Sequence, residues 1–253
     1  MSTSPNIAPV SRSWLVQARL GLGFLQDVAT AKSGFKCLLT VLFILASVPG
    51  IAAASEGHWV FKVYLDKKEI GYHEFKVEDS EEERQVNINA QFDVKILFIN
   101  AYSYAHQNLE TWNDGCLQSI DALTDDNGDE SLVSGSRSDA GFALQTTGGT
   151  RTLEAGCLRS FAYWDPSFLR SERLLNAQTG ELVDVDIRSR GLQALQIGNL
   201  NVEAEKYEVA MEDGIISLWY GAADGRWLAL EAPAKGGRTI RYEPVTLPGT
   251  PQD

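Results

Sequence analysis

The sequence predicts a mainly β protein, a strongly curved antiparallel sheet or barrel-like meander with one short helix. Three observations carry this. Apolar residues recur with period two along most of the chain. Clusters of Gly, Asp and Asn separate these runs at short intervals, as in hairpin-rich folds. Only Asp165–Asn176 has a capping residue and an apolar spacing suited to a helix. Strands do not alternate with helices, so a doubly wound fold is excluded. A curved sheet or barrel buries one face and limits open edges.

Residues 1–54 read as an export leader. Lys32 and Lys36 precede the apolar run Leu38–Val48, which is followed by Pro49-Gly50 and Ala52-Ala53-Ala54. That positive, apolar, small order is the layout of a secretory signal peptide, with cleavage expected after Ala54. A membrane-spanning helix needs about 20 apolar residues, so no transmembrane anchor is expected after cleavage. Cys37 precedes the apolar run, which is the wrong side for lipidation. The segment before the run is long for a leader, and a start at Val28 would give one of ordinary length.

The elements follow in order. Trp59, Phe61, Val63 and Leu65 alternate with His58, Val60, Lys62 and Tyr64. Lys67-Lys68 opens a turn, Ile70–Glu78 returns, and Glu78–Arg84 (EDSEEER) reads as a solvated hairpin loop. Val86, Ile88, Ala90, Phe92, Val94, Ile96 and Phe98 form the core face of a long strand. This strand is expected to continue, bent, through Tyr102–Trp112. Leu117–Thr124 ends at the turn Asp125–Gly128. Ser131–Arg137 and Phe142–Thr147 form a hairpin, with Gly148-Gly149 as the next turn. Leu182–Arg188, Val202–Met211, Ile215–Tyr220, Trp227–Ala232 and Thr239–Glu243 complete the strands. Asp213-Gly214 is a tight hairpin signal because glycine permits positive φ. Asp224-Gly225 and Gly236-Gly237 act similarly. The expected organisation is a single β-rich domain over 55–245 and a loose, Pro-rich tail over 246–253.

Removing residues 1–54 takes four of the 22 basic and one of the 34 acidic residues, which leaves a net charge of −15. That balance argues against nucleic acid and against anionic membrane surfaces. The two remaining cysteines, Cys116 and Cys157, read as a disulfide in an exported chain, the alternative being two buried thiols. No metal site is predicted, because no histidine lies at ligand spacing from them. No cofactor is predicted either, since nucleophile-elbow, zincin, P-loop and Rossmann patterns are all missing from the sequence.

The candidate site lies on Tyr102–Trp112. In a strand, Tyr102, Tyr104, His106, Asn108, Glu110 and Trp112 share one face. Aromatic bodies there could hold an apolar ligand while polar tips orient it. The competing reading is an aromatic ladder that stabilises neighbouring strands. His106 and Glu110 would stand about 13 Å apart along the strand at ~3.3 Å per residue, beyond hydrogen-bond reach. His73 reads as a core residue and His58 as exposed. The stretch Cys157–Gly180 carries Phe161, Tyr163 and Trp164 into the expected helix. It reads either as a lid across the open side of the sheet or as a helix closing one end of the core.

The order WVFKVYLDKKEIGYHEF, YSYAHQNLETW, GCL, CLRSFAYWDP, LLNAQTGEL and DGIISLWY–GRWLALEA resembles an uncharacterised family of exported bacterial proteins classed as a domain of unknown function. The FAYWDP…NAQTG block is its most specific part. The resemblance implies an exported β-rich domain, periplasmic or secreted, and brings no established activity. The closing hairpins more remotely resemble exported half-barrel proteins of the lipoprotein-carrier type, which hold acyl chains under a helical lid. Three functional expectations remain open. The first is an exported binding module for an apolar or lipid-like molecule, with Tyr102, Tyr104, His106, Glu110, Trp112 and Trp164 as ligand-binding residues. The second is a structural or partner-binding envelope protein. The third is a hydrolase in which His106 or His73 meets a carboxylate from another strand.

Overall fold

The alternation that begins at Trp59 builds β1 (Gly57–Leu65), with Trp59, Phe61, Val63 and Leu65 all buried on one face. The computed structural model describes residues 57–80, 82–96, 99–154 and 156–249. The leader, its cleavage point after Ala54, Cys37 and the end of the tail lie outside the described residues. A meander follows β1: β2 (Lys68–Asp79), β3 (Arg84–Ile96), β4 (Ile99–Asn113), β5 (Cys116–Asp126), β6 (Asp129–Ser138), β7 (Gly141–Thr146) and β8 (Gly149–Leu153). After a crossing segment, which holds the short pair β9 (Arg173–Leu175) and β10 (Leu182–Asp184), comes a second meander. It consists of β11 (Asp186–Ile197), β12 (Leu200–Met211), β13 (Gly214–Gly221), β14 (Trp227–Ala234) and β15 (Arg238–Thr246). β15 pairs antiparallel with β1, from Val60 opposite Thr246 to Leu65 opposite Ile240. The two meanders therefore form one 13-stranded antiparallel sheet whose edges are β8 and β11.

The sheet bends at register shifts, among them Val63/Tyr64 in β1, Val94/Lys95 in β3 and Thr111/Trp112 in β4. Such bulges bend a strand and increase its twist. Gly71 sits beside one of them with φ +156°, and a Cβ there would lie 1.8 Å from the Gln91 carbonyl oxygen. Only glycine lets β2 approach β3 this closely. The concave face is filled by apolar side chains centred on Trp227, which is fully buried. Its ring lies 4.3 Å from Phe61, 5.1 Å from Phe75 and 5.4 Å from Tyr163. Each fully buried ring of this kind contributes about 2–3 kcal/mol of transfer free energy.

Because β8 and β11 are opposite edges, residues 156–185 must cross the opening between them. They run over the concave face and are tied to both halves of the sheet. On one side the Leu117 amide donates to Leu158 O (2.8 Å), and Ser131 Oγ donates to Gln178 O (2.9 Å). On the other, Tyr220 Oη donates to Tyr163 O (2.8 Å). Gly180 takes φ +75°, and a Cβ there would fall 2.5 Å from Thr146 Cγ2. Glycine thus sets how deeply the segment seats against β7. The Cys116–Cys157 disulfide, with Cα atoms 5.0 Å apart, pins the start of the segment to β5.

Several expectations are corrected. The strand of Val86–Phe98 does not run on through Tyr102–Trp112; it reverses, and Ile96 faces Ile99 across a two-residue connection. The expected helix is a 3₁₀ turn, Pro166–Arg170, capped by Asp165, which accepts from the Ser167 amide. It stops there because Arg173–Leu175 pairs with β10, and Leu174 and Leu175 are both fully buried. β8 was not anticipated, and β11 extends well beyond Arg188. The tail is held at least as far as Pro248, whose carbonyl accepts from Arg226 Nη1, and Leu247 packs on the core. Among the described residues no helix is long and apolar enough to cross a membrane.

The disulfide closes a loop of 41 residues, which the chain-entropy model values at about 4 kcal/mol. Replacing both cysteines with serine is expected to lower the unfolding free energy by that order in urea titrations. The crossing segment should become the first region to lose protection from hydrogen exchange.

Candidate functional site

The even-numbered residues of β4 face the concave side. Exposure falls along the strand from half-buried Tyr102 to Glu110, which is 1 % exposed. Tyr102, Tyr104, His106, Asn108 and Glu110 line a cavity of about 220 Å³. Its lining is half-buried at Val94, Tyr102 and Ile240 and exposed at Pro233, which marks that end as the mouth; Ala177 and Gln178 of the crossing segment are half-buried too, and Glu110 and Ser160 are buried at the floor. Opposite β4 the wall comes from Ile216, Leu230 and Tyr242 of the second meander. The crossing segment supplies Phe161, Tyr163, Asn176 and Ala177. Phe92 stacks on Tyr104 at 5.1 Å, which gives the cavity one flat aromatic wall.

The floor is a polar node within an apolar core. Glu110 accepts from Asn108 Nδ2 (2.9 Å) through one oxygen and from Trp112 Nε1 (2.9 Å) through the other, and Ser160 also bonds to it. Burial raises the Glu110 carboxyl above its ordinary range, and these three hydrogen bonds oppose that rise. Asn108 Oδ1 is buried without a hydrogen-bond partner.

Two histidines stand on the wall above. His73 of β2 faces Ala90 of β3, and Ala90 faces His106 of β4, so one small residue separates the two rings on the same row. His106 Nδ1 lies 2.8 Å from Thr124 Oγ1, and His73 Nδ1 lies 2.9 Å from Tyr242 Oη. His73 Nε2 is buried without a partner. Burial pushes His106 down to about 4. Burial pushes His73 in the same direction, with the neighbouring His106 adding to it. Both rings are therefore neutral at pH 7.

Trp112 and Trp164 do not line the cavity. They pack edge to face at 5.6 Å behind the floor, where Trp112 serves Glu110 as a donor and Arg84 lies over the Trp164 ring. Asn108, which the strand parity places on the inward face, lines the cavity, and so does Tyr163 of the stretch read as a lid. Ser160 and Tyr242 are absent from the sequence reading, since they reach the cavity only through long-range pairing. The histidine–carboxylate contact named in the hydrolase expectation is not made by His73 or His106 among the described residues; each ring bonds a hydroxyl instead. The histidine–carboxylate bond seen among the described residues is His58–Glu74 (2.6 Å), away from the cavity. Among the described residues no group of His, Cys, Asp or Glu could hold a metal ion.

The model of a domain of unknown function, DUF6134, matches residues 61–245. Comparison with curated proteins finds no match. Among solved structures, the chain is similar to a crystal structure of a β-barrel-like protein of domain of unknown function DUF1849 from Brucella abortus. The identity is 12 %, the TM-score is 0.57, and 78 % of this chain and 97 % of that chain are covered. This likeness establishes a barrel-like fold.

The neutral histidines have a signed consequence. Between pH 6.5 and about 4 the unfolded chain binds a proton at His106 that the folded chain refuses. Stability from this group is full above pH 6.5 and is lost as pH falls through 4, by roughly 3 kcal/mol. Glu110 acts oppositely: its stability is full below pH 4.5 and is lost as pH rises through its raised folded value. Urea titrations across pH 4–7 are expected to show a shallower acid loss for His106→Gln than for the parent. Glu110→Gln should show a steeper one.

Proposed function

The chain belongs to the DUF6134 family, and we propose that it is an exported binding module for an apolar or amphipathic, lipid-like small molecule. The observation that carries this reading is the cavity of about 220 Å³ inside an otherwise packed concave face. It exceeds the ~150 Å³ apolar cavity that admits benzene. Its walls are chiefly aromatic and aliphatic, with a polar cluster of Asn108, Glu110 and Ser160 at one end and single polar side chains elsewhere, which is the usual make-up of a small-molecule site. Tyr102, Tyr104, His106 and Glu110 are the proposed β4 contacts, and the crossing segment is the proposed cover. Trp112 and Trp164 are assigned to support of the floor.

The leader-like N-terminus and the Cys116–Cys157 disulfide support a periplasmic or secreted location after cleavage following Ala54. A purely structural envelope role would favour a filled interior, and the cavity speaks against it.

The purified protein is expected to bind an apolar naphthylamine probe saturably at one site. Ala177→Phe, which fills the cavity from the crossing segment, should weaken that binding at least tenfold while leaving the circular dichroism spectrum unchanged. Absence of saturable binding, together with native mass spectra free of any co-purified small molecule, would overturn the reading.

A further inference from the structure

The chemistry of the floor narrows the ligand class. Among the described residues no lysine or arginine lines the cavity, and the one carboxyl that does, Glu110, is already engaged by Asn108, Trp112 and Ser160. An entering carboxylate or phosphate would be desolvated beside another acid without a countercharge, at a cost that grows steeply in a low-dielectric interior. An ammonium would lose its water shell inside an apolar cavity and compete with Asn108, Trp112 and Ser160 for the Glu110 carboxyl. Burial holds both histidine rings neutral at pH 7, so neither offers a positive charge to an entering anion.

Two polar atoms of the cavity residues have no partner: Asn108 Oδ1, on a residue only 3 % exposed, and His73 Nε2. A buried polar group left unpaired carries its desolvation cost uncompensated. A ligand that supplies a hydrogen bond recovers that cost, whereas a bare hydrocarbon does not. Asn108 sits one inward position from Glu110 and three from Tyr102 at the mouth. A polar group that reaches it is innermost, and the hydrocarbon then lies back along Phe92 and Tyr104 toward Val94 and Ile240.

Resting on the binding reading above, we infer that the cavity selects amphiphiles whose inner end is polar but uncharged, a primary amide or a hydroxyl, seated against the Asn108 side chain. The apolar tail points to the mouth, and His73 Nε2 is a second point of contact along the wall.

A series with one tail and varied ends tests this: octanamide, 1-octanol, octanoate and octylammonium, titrated below micelle formation at pH 7.5, with n-octane measured by displacement of the naphthylamine probe. Octanamide and 1-octanol are expected to bind at least tenfold more tightly than either ion. Asn108→Leu should lower octanamide affinity about tenfold and leave n-octane affinity unchanged. Octanoate or octylammonium binding as tightly as octanamide would overturn the inference while leaving the binding reading intact. Equal losses of octanamide and n-octane in Asn108→Leu would show that Asn108 shapes the cavity without recognising the polar end, and would overturn it too. Failure of every compound and of the probe would remove both. Should Asn108→Leu not fold, the series on the parent protein decides.

Discussion

The pairing of β1 with β15 is the constraint on which the rest of the structure depends. It joins the first described strand to the last and so fuses two meanders into one sheet. Once those strands lie at the centre, the edges are β8 and β11, and the chain between them has to cross the opening. The crossing segment is therefore imposed by topology. Its depth is set by the disulfide at Cys157, by Gly180 against β7 and by the Tyr163 carbonyl on Tyr220. The cavity is the space that this segment and the concave face leave between them.

Within that space the protein departs from what stability alone would choose. A carboxyl, an amide and two imidazoles stand where aliphatic side chains would fill the core at less desolvation cost. The carboxyl accepts hydrogen bonds from Asn108, Trp112 and Ser160, whereas Asn108 Oδ1 and His73 Nε2 have no partner. Such local departures from the rules of a good core concentrate at functional sites. Two of them, Asn108 Oδ1 and His73 Nε2, lie on the cavity lining; others, such as Trp59 Nε1 and Trp164 Nε1, lie outside it.

Much of the fold was legible because its signal is local. The alternation in β1, β3 and β5 and the turns at Asp125–Gly128 and Asp213-Gly214 need only neighbouring residues, and each stands where the pattern placed it. The inward face of β4 was legible for the same reason. The reversal between β3 and β4 was not. Val94 faces Tyr102 across the hairpin, so even residues stay inward on both strands and the alternation carries through without a break. The connection, Leu97-Phe98, also lacks the residues that usually mark a turn. Arg173–Leu175 kept a helical look because its leucines are buried on both sides, which removes the period that would identify a strand. Tyr163, Tyr242 and Ser160 join the site through contacts that span up to 169 residues of the chain, which no local pattern encodes.

The most direct test of the central claim is an experimental crystal structure of the protein purified from cells without added hydrophobic compounds. The account predicts an internal cavity between β4 and residues 156–185, with density for an elongated small molecule running from Asn108 past Tyr104 toward Tyr102. A concave face closed by its own side chains, with Tyr104 and Tyr163 in contact and no space between them, would contradict it.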